Sequence, residues 1–183
     1  MPNWVSNTVI IHGKKEVVEA LGDFISSDES DVDFAKIYAP AESVDYEANW
    51  YEWNCRVWGT KWNAVEATKE TGFTVLDEYG GVKESSLVLS FNTAWDKPEP
   101  IFVWLVSFAH KFGLTLDIRY EEEQGWGGTM EVKNGEYSYT TWGIPNSHAD
   151  NEAIGRECAC SWSADDDDWY EDCPREPRGY LSL

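Results

Sequence analysis

Apolar and polar residues alternate or recur with enough regularity to place most of the elements. Trp4 to His12 is rich in β-branched residues and stops at Gly13, the composition of a strand. From Lys15 to Ile25 the apolar residues Val17, Val18, Leu21, Phe24 and Ile25 return at helical spacing and predict an amphipathic helix with one buried stripe. The polar cluster Ser26 to Asp31 ends it. Val32 to Tyr38 reads as a short second strand, closed by Ala39-Pro40, because proline disfavours helix in the residue before it. Trp50, Trp53, Val57 and Trp58 keep near-helical spacing up to Gly59, and Lys61 to Ala67 is the next strand candidate.

Ser86 to Phe91 alternates with Leu87, Leu89 and Phe91 on one face. The helix after it is predicted to start on Asp96 as cap, with Pro98 early and Glu99 three residues past the cap. Ile101, Leu105, Phe108, Ala109 and Phe112 form its expected core stripe, with Lys111 in the last turn and Gly113 as the left-handed stop. Leu114, Leu116, Ile118 and Tyr120 then alternate with Thr115, Asp117, Arg119 and Glu121, burying one face and wetting the other. Asn134-Gly135 between Thr129–Lys133 and Glu136–Trp142 is a two-residue hairpin signal, since both turn positions need positive φ. Strand, helix, strand, then strand, helix, strand is the order of an α+β, ferredoxin-like split β-α-β unit, here extended by a hairpin. This domain is expected over residues 1–143, with residues 144–183 an irregular acidic appendage. From Pro145 onward the periodicity fades, and 10 acidic residues stand against 3 arginines.

Composition narrows the partners. In 183 residues there are 14 Lys and Arg against 34 Asp and Glu, a formal net charge of −20, with 42% hydrophobic and 15% aromatic residues. That apolar content is enough for a packed core. The lysines are scattered along the chain, so direct binding to nucleic-acid phosphates or anionic lipid is disfavoured and a basic partner is preferred. No apolar run reaches the roughly 20 residues of a membrane span, and Met1-Pro2-Asn3-Trp4 lacks a signal-peptide layout; a cytoplasmic protein is expected. Cys55, Cys158, Cys160 and Cys173 are too few for a disulfide scaffold and are expected as thiols.

Several stretches resemble the YubB-type ferredoxin-like family of bacteriophages and plasmids: Met1-Pro2-Asn3-Trp4 with Ser6-Asn7-Thr8, then Phe34-Ala35-Lys36-Ile37-Tyr38, Trp58-Gly59-Thr60-Lys61-Trp62-Asn63 and Phe91-Asn92-Thr93-Ala94-Trp95. The resemblance covers roughly residues 2 to 142 and implies a mobile-element origin and a ferredoxin-like domain. It brings no catalytic residues.

Chemistry-bearing residues divide into three groups. The first is acidic, Glu121, Glu122, Glu123, Asp165, Asp166, Asp167 and Asp168, with Trp126 and Trp169 as aromatic anchors. A folded carboxylate array of this kind can occupy a basic DNA-binding cleft. It supports a non-enzymatic interaction protein that inhibits a basic, nucleic-acid-acting host defence complex of CRISPR or restriction type by DNA mimicry. The second group, Trp58, Lys61, Trp62, Asn63, Asn92 and Trp95, would instead line a pocket for a nucleotide or sugar; packing against the sheet is the plainer role for the tryptophans. The third is His148, Cys158, Cys160 and Cys173, donors that suit zinc but whose Cys-x-Cys spacing is tighter than usual. No cofactor is expected. His12, His110 and His148 form no nucleophile constellation in sequence, and Pro2 as an N-terminal amine base would find its pKa raised, not lowered, among so many carboxylates.

Overall fold

The computed structural model describes residues 2–76, 82–144, 150, 153–154, 162–163 and 168–169. Strand β1 (Trp4–Lys14) leads directly into helix α1 (Lys15–Phe24). A 3-10 turn at Phe34–Lys36, helix α2 (Tyr46–Val57) and strand β2 (Val65–Leu76) follow, then β3 (Val82–Ala94), helix α3 (Glu99–Phe112), β4 (Thr115–Glu122), β5 (Gly127–Lys133) and β6 (Glu136–Trp142). Two short strands, β7 (Trp162–Ser163) and β8 (Asp168–Trp169), pair only with each other.

The main sheet is ordered β2-β3-β1-β4-β5-β6, with each neighbouring pair antiparallel. The four strands β2-β3-β1-β4 with α1 and α3 as crossovers make the split β-α-β arrangement, and the predicted hairpin extends it at the β4 edge. Its turn is as expected, with Asn134 at φ 54° and Gly135 at φ 79°.

Strand alternation decides which face the helices cover. Val5, Val9 and Ile11 of β1, Leu87, Leu89 and Phe91 of β3, and Leu116, Ile118 and Tyr120 of β4 are buried on one face. Against them lie Val18 and Leu21 of α1 and Ile101, Phe102, Leu105 and Ala109 of α3. The other face, opposite α1 and α3, carries Ser6, Thr8, Ser90, Asn92, Arg119 and Glu121; Ile154, which follows the helical residues Asp150 and Ala153, reaches Arg119 there.

Four expectations are corrected. Val32 to Tyr38 is not a strand. Asp33 Oδ1 accepts a hydrogen bond from the Ala35 amide at 3.0 Å, the local bond by which aspartate turns a chain, and Phe34 drops into the core between Trp58 and Phe91, edge-on to both. The second strand of the unit is β2, which begins at Val65 rather than Lys61. Asp96 does not cap α3: its Oδ1 accepts from the Lys97 amide at 2.7 Å, Pro98 holds the cap position, and Glu99 opens the helix. Of the predicted α3 stripe, Phe108 is only half-buried and Phe112 is exposed, while Phe102 is fully buried. Gly113 ends the helix in the left-handed region, φ 64°.

Candidate functional site

The face of the sheet opposite α1 and α3 forms a groove of about 700 Å³ where β1 begins and β3 and β4 end, lined by Trp4, Ser6, Thr8, Asn92, Arg119 and Glu121, with Val65, Glu66, Glu122 and Glu123 completing its wall. Alternation puts the side chains of Ser6 and Thr8, Asn92, and Arg119 and Glu121 on the same face of three adjacent strands. Glu66 arrives by a different device. The β2–β3 register slips between Val65 and Thr68, and at this bulge Glu66 takes φ 53°, a region non-glycine residues rarely occupy. Its Oε2 accepts from Asn92 Nδ2 at 2.9 Å. Arg119 donates to Glu121 Oε2 at 3.2 Å and to the Ile154 carbonyl at 3.3 Å, with its guanidinium 5.2 Å from the Trp142 ring centre.

A second depression, lined by Asp28, Glu29 and Asp31 of the loop after α1, shares Glu66 with the groove. Carboxylates from three separate segments therefore line the two depressions: Asp28, Glu29 and Asp31 the second, Glu121 and Glu123 the groove, and Glu66 both.

Next to the groove stands an aromatic cage. Lys61 Nζ lies 4.5 Å from the Trp62 ring centre, 4.6 Å from that of Trp95 and 6.0 Å from that of Tyr51. Trp4 joins the cage to the groove, its ring 6.0 Å from Trp62. Trp95 sits at φ 72° and is 46% exposed.

Of the acidic group named from sequence, Glu121 and Glu123 line the groove. Glu122 is 2% exposed, because strand alternation turns its side chain to the helix face, and its Oε2 accepts from the Gln124 amide at 2.7 Å within the turn to Gly125. Trp126 is half-buried against Tyr120. Asp165, Asp166 and Asp167 lie outside the described residues, and Asp168 and Trp169 are described only through the backbone of β8. Of the pocket group, Lys61, Trp62 and Trp95 come together and Asn92 lies in the groove. Trp58 is instead core, 4% exposed, with Nε1 donating to the Tyr38 carbonyl. Asn63 is a strut: Oδ1 accepts from the Phe34 and Ala64 amides and Nδ2 donates to Asp33. His148, Cys158, Cys160 and Cys173 lie outside the described residues, among which no cluster of metal-ligating side chains occurs; Cys55 is an exposed thiol. Sequence reasoning missed Glu66, Tyr51 and the Asp28–Asp31 loop. Only Arg119 carried a legible signal, a cation on the wet face of a strand beside Glu121.

Burial raises the phenol of Tyr120 from 10.0 to about 12, with Glu99 and Asp96 adding repulsion for its anion. The same cause, reinforced by Tyr139 and Glu99, raises Tyr137 on the neighbouring hairpin.

The ferredoxin-like domain of Api92-like proteins matches residues 57–159, more than half of the chain. The chain belongs to this family. The Api92-type match runs from the end of α2 through β2, β3, α3 and the β4–β6 meander, so it contains Lys61, Trp62, Glu66, Asn92, Trp95, Arg119 and Glu121, whereas β1 and α1 precede it. No curated protein and no solved structure matches the chain. Among the described residues of this Api92-type domain, no helix is long and apolar enough to cross a membrane.

Proposed function

We propose that the chain is a non-enzymatic interaction protein that docks a basic protein partner along the sheet face opposite α1 and α3. The observation that carries this reading is that carboxylates from three chain segments line two depressions that share Glu66, on a molecule of net charge −20. Opposite charge on a partner would steer the encounter and make it fast and sensitive to salt. The finer reading takes up the resemblance to proteins of phages and plasmids: a mobile-element product that presents carboxylates where a nucleic-acid-acting host defence complex expects phosphates, and so inhibits it.

Charge reversal tests it. The variant Asp28→Lys, Glu66→Lys, Glu121→Lys, Glu123→Lys and the parent protein would each be used to capture proteins from a host lysate at low and high salt. A basic nucleic-acid-binding protein held by the parent at low salt, released by high salt or by added duplex DNA, and lost from the variant is the expected result. A partner retained equally by the variant overturns the reading.

The groove's volume favours a second reading, since about 700 Å³ is the size of a small-molecule site and Trp4, Asn92 and Arg119 offer a ring, an amide and a guanidinium. Thermal melts with nucleotides and sugars distinguish the two. Stabilisation that grows with ligand concentration, without any protein partner, would replace the docking proposal.

A further inference from the structure

The chain has 34 acidic side chains against 14 basic ones, yet Lys61 spends its charge on rings, and no described carboxylate forms a salt bridge with it. The rings do not depend on it for their placement. Thr60 Oγ1 donates to the Ala94 carbonyl at 2.9 Å and accepts from the Ala94 amide at 3.2 Å, so this buried pair stitches the segment carrying Trp62 to the segment carrying Trp95. The Trp95 amide donates to the Asn3 carbonyl at 2.9 Å, Trp62 leans on Trp4, and Tyr51 of α2 stands edge-on to Trp95. The backbone at Lys61 is held separately, its carbonyl accepting from Asn54 Nδ2 at 2.8 Å, which leaves the side chain able to leave without disturbing the walls. Trp95 is the costly member: a bulky residue at positive φ is a strained outlier, and such strain gathers at ligand clamps.

We propose that Tyr51, Trp62 and Trp95 form a cation-recognition site in which Lys61 is an exchangeable built-in occupant, displaced when a lysine or arginine side chain of the basic partner enters. The proposal rests on the basic-partner reading and adds the point at which one of the partner's cations is read. Electron-rich ring faces attract ammonium and guanidinium groups, and cages of this kind are a known means of recognising them. A tethered lysine competes at an effective concentration near the millimolar range, so it keeps the rings covered until a cation presented by a docked protein outcompetes it. The groove beside the cage supplies that docking, with Trp4 shared between them.

The test needs no partner and so separates this proposal from the reading beneath it. Tetramethylammonium would be titrated into the parent protein and into Lys61→Ala, following tryptophan fluorescence, with neopentyl alcohol as the uncharged control of the same shape. The expected result is saturable binding to both proteins, about tenfold tighter in Lys61→Ala, with no response to the alcohol. Tyr51→Leu and Trp95→Leu, each in the Lys61→Ala background, should abolish the response, and circular dichroism checks that each is folded; Tyr51, on an exposed helix face, keeps the test valid if the Trp95 variant unfolds. Binding to Lys61→Ala alone would make Lys61 a fixed structural plug and overturn the exchange. An equal response to the alcohol, no binding to either protein, or full binding by a folded Tyr51→Leu variant would overturn the site. Failure of the charge-reversal experiment with success here would leave the cage standing and remove its partner.

Discussion

At the scale of single residues, the polar groups turned toward the helices carry more consequence than those on the wet face. Asn7 is fully buried, and its Nδ2 donates to the Val5 and Phe91 carbonyls and to Thr93 Oγ1, tying β1 to β3 where apolar alternation alone would have placed an aliphatic side chain. Tyr120 lies one strand away, opposite Asn7. Its phenol is held near 12 against an ordinary 10.0, so the fold favours the neutral form. The stability tied to that preference is fully present below pH 10 and is lost as pH rises from 10 to 12. At about 1.4 kcal/mol per pH unit this amounts to roughly 3 kcal/mol. Denaturant melts between pH 9 and pH 12 should show this loss, and Tyr120→Phe should remove most of it; equal alkaline loss in the variant would assign it to other groups.

At the scale of elements, what was legible in the sequence followed from how completely each segment obeys one period. β1, α1, β3, α3 and β4 each bury a single face, so apolar spacing predicted them, whereas the β5–β6 hairpin, whose β6 is exposed almost throughout, was predicted by its Asn134-Gly135 turn. The failures lie where side-chain bonds to the backbone override periodicity. Val32, Phe34, Ile37 and Tyr38 look like strand residues, but Asp33 turns the chain and Asn63 locks the turn against the start of β2. Strand β2 hides because it is an edge with slips in register after Val65 and after Phe73, which blur its alternation. The candidate groove was legible only in part for the same reason: Arg119 and Glu121 belong to a regular strand, whereas Glu66 points as it does because of a bulge. Asn63 carries a testable share of this arrangement. Asn63→Ala removes acceptors from the Phe34 and Ala64 amides and a donor to Asp33, and should cost about 1–3 kcal/mol in urea unfolding. A cost near zero would show that water replaces it without penalty.

At the scale of the whole molecule, charge is the dominant feature. With a net −20, the folded chain concentrates repulsion that the unfolded chain can relax. Raising sodium chloride from about 0.01 M to about 1 M shortens the screening length from about 30 Å to about 3 Å. Thermal stability should therefore rise by about 1 kcal/mol or more, equivalent to about 2–4 °C for a chain of this size. A melting temperature that falls with salt would mean that attractive pairs such as Arg119–Glu121 outweigh the repulsion. The same screening weakens the proposed encounter with a basic partner, so conditions that favour the fold oppose the docking.

The two margins of the main sheet differ in what they permit. Along β2 the slips in register bend the outer row of amides and carbonyls away from a straight line. Along β6 the pairing with β5 runs unbroken from Gly127–Trp142 to Lys133–Glu136, which leaves the far side of β6 evenly spaced. An extended peptide seeking to lengthen this sheet would therefore find a usable template at the hairpin margin and a faulty one at the other, so growth of the sheet is directional.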